Sequence, residues 1–225
     1  MEDARRPWAA GLRAARAHLL PGLGLQALGL ALVLSYYFWG WAREELDALM
    51  AFKTQVGFAF GIVSTAIFGG LLPWVYLWWD GRYSVPQGGW LLLFWGYKGF
   101  EVDVLYRLEA RWIGAGHQVP TILRKMAFDQ FVYGPLWAVP TMLVFYRWLE
   151  SNSAPGGRAP PHRLVFAFAS TIPLLISNVG VWLPMLALIY ALPTPLQLPL
   201  QNLVLCFFTL IVAHQAHRPG GARCP

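Results

Sequence analysis

The stretch 54–79, TQVGFAFGIVSTAIFGGLLPWVYLWW, runs from Thr54 to Trp79 without one charged side chain. Crossing a bilayer takes ~20 predominantly apolar residues, so this stretch reads as a transmembrane helix ending near Trp79. Gly57 and Gly61 stand four residues apart, and Gly69 and Gly70 follow. All are small enough to let a neighbouring helix approach closely.

The same texture extends in both directions. Upstream, an apolar run from about Leu19 to Trp41 starts near Pro21 and ends in Tyr36, Tyr37, Trp39 and Trp41, the residue types of an interfacial belt. A charged connection, Arg43 to Lys53, joins the two runs. Downstream, the apolar run Gly89 to Tyr97 is short for a span and is followed by Lys98, Glu101, Asp103 and Arg107. If the helix persists to about Trp112, Lys98 and Glu101 fall at i, i+3 and Asp103 and Arg107 at i, i+4, placing opposite charges on neighbouring turns. Those charges are then either solvated where a helix leaves the membrane or turned toward a water-filled path inside a bundle.

After the turn-rich residues Gly114 to Pro120, a fourth run extends from about Ile122 to Leu149, with Arg124 and Lys125 at its start and Asp129 and Gln130 soon after. Ser151 to Pro161 is rich in Ser, Gly and Pro and reads as an exposed loop. A fifth run, about Arg163 to Leu192, contains Pro173, Gly180 and Pro184, which predict a kink. The last begins at Pro195 or Leu196 and ends near Ala213, before His214, His217 and Arg218.

The predicted fold is therefore all-α, a polytopic transmembrane helical bundle of about five or six spans. It comprises a basic N-terminal segment 1–18 suited to the headgroup layer, the bundle over 19–217 and a short tail 218–225. Composition agrees: 57% of residues are hydrophobic and 12% charged, where a soluble domain carries about 25% charged. The net charge of +6 is scattered over segment ends, which suits topology and anionic lipid and excludes a nucleic-acid stripe. With six spans, ten Lys and Arg fall on the side of the termini and seven opposite, so both termini are expected in the cytosol or matrix.

Signatures of catalysis are missing: there is no His-x-x-x-His pair on an apolar helix, no Gly-x-Ser-x-Gly elbow and no phosphate loop. The expectation is a non-enzyme without cofactor or metal. Cys206 and Cys224 suggest neither a disulfide framework nor a metal site. Polar groups inside the apolar runs carry the interest, because each must find a partner or water. They are Gln55, Asp129, Gln130, Ser177, Asn178, Gln197, Gln201 and Asn202. Asp129 follows Lys125 by four residues, so the two are placed either to pair within the helix or to line an aqueous path. Asn178, Gln197 and Asn202 suit hydrogen bonds between helices.

The stretch Lys125-Met126-Ala127-Phe128-Asp129-Gln130-Phe131-Val132-Tyr133-Gly134-Pro135 resembles the Lys-Met-x-x-Asp-Gln-x-x-x-x-Pro element of the Mpv/PMP family, small proteins of peroxisomal and inner mitochondrial membranes. Asn178 and Trp182 are similar to its Asn-x-x-x-Trp, and Tyr190, Pro193, Leu196, Gln197, Pro199, Asn202 and Phe208 to its later positions. The chain departs from the pattern at Leu183, Ile189 and Gln197, and the likeness covers about 53–217, with Leu19 to Trp41 as an extra helix. The resemblance implies channel-like passage of small hydrophilic solutes or ions, or modulation of such a passage, in an organelle membrane; composition alone also fits a bacterial inner membrane. Asp129, Gln130, Lys125, Asn178, Trp182, Gln197 and Asn202 become candidates for a pore or a helix interface. The implied partners are the lipid bilayer and such solutes, and a homo-oligomer is compatible with both. The rival reading is a non-conducting scaffold with a dry interior.

Overall fold

A computed structural model describes residues 19–151 and 182–215, and no strand occurs among them. The chain runs through α1 (Leu19–Phe38), α2 (Gly40–Val56), α3 (Phe58–Thr65), a π-helical stretch Ala66–Leu71 and α4 (Leu72–Trp79). It continues through α5 (Val85–Trp112), α6 (Val119–Phe128), a second π-helical stretch Asp129–Ala138 and α7 (Val139–Ser151). Beyond residue 181 come α8 (Trp182–Ala191) and α9 (Thr194–Gln215).

Two breaks shape the N-terminal half. Trp39 is extended between α1 and α2, and the two helices meet at 100°. Gly57 separates α2 from α3 with φ 68° and ψ −137°, a conformation that only glycine adopts readily. The close-packing role expected of Gly57 is corrected here: a side chain there would meet nothing within 4 Å, so the residue serves the break.

The π-helical stretches have a common local cause. Pro73 and Pro135 each lack the N–H of an α-turn, and their rings would strike the carbonyl four residues back. A wider turn, Ala66–Leu71 just before Pro73 and Asp129–Ala138 around Pro135, moves that carbonyl aside.

The ambiguous third segment is one continuous 28-residue helix. A capping box opens it, with the Ser84 N–H donating to Gln87 Oε1 at 2.7 Å, and Pro86 lies in the first turn where no N–H is needed. The composite Phe58–Trp79 packs along α5, and α9 packs on both. Glycines make the approach close. Side chains at Gly61 and Gly99 would run into each other's backbone carbonyls, Gly69 lies under the Trp95 ring, and Gly88 lies under Trp74.

The chain forms two compact units, one of residues 21–117 and 188–215, the other of residues 19–20, 118–151 and 182–187. The smaller unit is built chiefly on the continuous helical stretch Val119–Ser151, π-helical over Asp129–Ala138. By length and composition, Phe58–Trp79 is the one described helix apolar enough to cross a membrane, and α1 with α2 reaches that measure only as a bent pair. α5 does not reach the same measure, although its length is ample.

Candidate functional site

The buried face of α5 changes character halfway along. Gln87, Gly88, Leu91, Trp95 and Gly96 line its first half, and Lys98, Gly99, Val102, Asp103, Tyr106 and Glu109 line its second. A helix repeat of 3.6 keeps those positions on one side, so the ionisable groups lie in the interior of the larger unit.

Their partners come from α5 itself and from α2, α8 and α9. Lys53 of α2 places Nζ 2.9 Å from Asp103 Oδ1, and the two side chains are 3% and 2% exposed. Arg107 donates to the other oxygen, Oδ2, from Nη2 at 3.0 Å and Nε at 3.1 Å. Its guanidinium lies 4.4 Å over the Phe58 ring, at the start of α3. One turn earlier, Lys98 Nζ meets Glu101 Oε1 at 2.7 Å. Six residues beyond Asp103, the Tyr190 hydroxyl of α8 donates to Glu109 Oε2 at 2.7 Å. The Tyr106 hydroxyl donates to Gln201 Oε1 of α9, and the rings of Tyr106 and Tyr190 meet edge to face at 5.7 Å.

Asn202 closes this cluster toward α3: Thr65 Oγ1 donates to its Oδ1 at 2.9 Å, and its Nδ2 donates to Ser64 Oγ at 3.0 Å. Gln197 acts locally, with Nε2 donating at 3.0 Å to the Leu192 carbonyl across the break between α8 and α9. Lys125 and Asp129 are buried and Gln130 and Trp182 half-buried, all in the smaller unit. Asp129 and Gln130 open the π-helical stretch that accommodates Pro135. Asn178 lies outside the described residues.

The structure thus brings Gln201 to Tyr106 of α5 and Asn202 to Ser64 and Thr65 of α3, in the unit that holds the α5 charges, while Lys125, Asp129, Gln130 and Trp182 stand in another unit. Ser64 and Thr65 had not been singled out from the sequence, Lys53 only as the end of a charged connection, and Tyr190 only as a position of the family pattern. Lys53 carried a signal, an ammonium shortly before an uncharged stretch, but it reads equally as a solvated loop residue. Among the described residues no three His, Cys, Asp or Glu side chains are grouped to hold a metal ion. Comparison with protein-family models, with curated proteins and with solved structures gives no match to this chain.

Proposed function

We propose that this chain is a polytopic α-helical membrane protein of the Mpv/PMP type that lets small hydrophilic solutes or ions pass, or modulates such a passage, in an organelle membrane. The observation that carries the reading is an inverted distribution of polarity. In the larger unit Phe38, Trp41, Trp79 and Leu93 lie on the surface, while Lys53, Lys98, Asp103 and Glu109 are at most 4% exposed. In water such an arrangement exposes apolar area and desolvates charge. In lipid it is the expected one, and ionisable groups turned into a helical bundle mark solute and ion paths by default.

The scaffold reading keeps one specific support: both oxygens of Asp103 are engaged, as in a closed, dry ion-pair cluster. Planar-bilayer conductance separates the two. Wild type, Glu109→Gln and Asp129→Asn would be compared, with circular dichroism confirming helicity. Discrete openings whose ion selectivity shifts in either variant support passage. Silence from well-folded protein favours the scaffold.

A further inference from the structure

We propose that Lys53 and Arg107 form a binding site for a small oxyanion, a carboxylate or a phosphate group; the proposal deepens the solute-passage reading by naming the class of solute. The site holds two cations to one carboxylate. Asp103 spends Oδ1 on Lys53 and Oδ2 on Arg107. Among the described residues no other carboxylate lies within ion-pair distance of either cation. Lys53, 3% exposed, engages one of the three N–H donors of its ammonium, and donors left over in a buried position call for an acceptor. Arg107 is 46% exposed and commits only Nε and Nη2, leaving the rest of its planar fork outward. That fork matches carboxylate and phosphate oxygens.

A second feature adds to the positive field. Arg107 stacks on Phe58, the first residue of α3, whose N-cap is Gly57 and therefore carries no side-chain acceptor. Helix N-termini attract anions, yet here two cations stand beside one, balanced by a single acid. The cluster also stands where the uncharged stretch to Trp79 begins, a natural point for a charged solute to enter or leave. The same chemistry would be met by a free anion or by the phosphate of a lipid headgroup.

Chloride NMR line broadening on the purified full-length protein in neutral detergent tests the site without requiring conduction. The expected result is excess broadening that inorganic phosphate displaces, with the affinity for phosphate about tenfold weaker in Arg107→Gln, the loss expected of one charge-assisted hydrogen bond. Arg107 is half-exposed, so this variant should fold, and circular dichroism checks that it does. Arg82→Gln, which removes an arginine paired with Asp80 instead, should leave the broadening unchanged. Displacement by soluble short-chain phosphatidic acid far below the phosphate concentration assigns the site to lipid, and equal displacement assigns it to free anions. Absence of excess broadening, or equal loss in Arg82→Gln and Arg107→Gln, overturns the proposal. A bilayer that stays silent while the Arg107-dependent broadening persists supports the site and removes the conduction reading alone.

Discussion

Asp103 is gripped from two helices, and its loss should be felt more than that of any neighbour. Asp103→Asn leaves Lys53 buried without its counter-charge, and breaking a buried ion pair from one side costs about 3–5 kcal/mol. The double variant Lys53→Met/Asp103→Leu removes both charges, and it should recover most of that loss because Arg107 can reach solvent. Thermal unfolding in detergent, followed by circular dichroism, checks both; a double variant as unstable as the single one would show that the charges are not the cause. Asn202→Leu should cost about 1 kcal/mol, the scale of a hydrogen bond between helices in a membrane. At this scale the sequence was readable only along one helix. Spacing alone paired Lys98 with Glu101 and Asp103 with Arg107, since neighbours on a helix are fixed by its pitch. Lys53 was not readable as their partner, because its contact depends on where Gly57 turns the chain.

The element scale is governed by which glycines face a neighbour. Gly89 and Gly99 both lie inside α5, and the same substitution should act on them with opposite signs. A methyl at Gly99 would drive into the Gly61 carbonyl and the Thr65 side chain, a backbone collision that should cost about 2 kcal/mol. A methyl at Gly89 meets nothing within 4 Å, so Gly89→Ala should stabilise by roughly 0.5–1 kcal/mol through helix propensity. Melting temperatures measured side by side test the pair. The glycine pattern of Gly61, Gly69 and Gly70 was legible as a close approach, whereas Gly57 was not distinguishable from them, since spacing reports a face and not a dihedral angle. The length of α5 was also hidden: an apolar run of nine residues from Gly89 to Tyr97 looks like the end of a membrane segment unless the charges that follow have partners elsewhere.

For the whole molecule, the all-helical class of the described residues follows from composition, while under the proposed membrane reading the number of crossings would not, because a helix carrying internal ion pairs looks too polar to cross. Charge asymmetry across the connections makes a topological prediction. In reconstituted vesicles, Ala4→Cys and Ser153→Cys, each in a Cys206→Ser/Cys224→Ser background, should react with an impermeant maleimide from the same side; opposite reactivity would change the parity of crossings between them.

If the chain is the membrane protein proposed above, the polar half of α5 also constrains how it is made. A segment bearing Lys98, Glu101, Asp103, Arg107 and Glu109 would be a reluctant entrant into lipid, since single charges at mid-membrane disfavour insertion by about 2.5–3.5 kcal/mol each. Synthesis, however, proceeds from the N-terminus. By the time α5 leaves the ribosome, Lys53 and the glycine-faced helix from Phe58 onward have already been delivered, and they offer a counter-charge and a surface shaped to receive it. Under the proposed membrane reading, the order of elements along the chain would double as an assembly schedule, with the earlier helix in place to receive the later one.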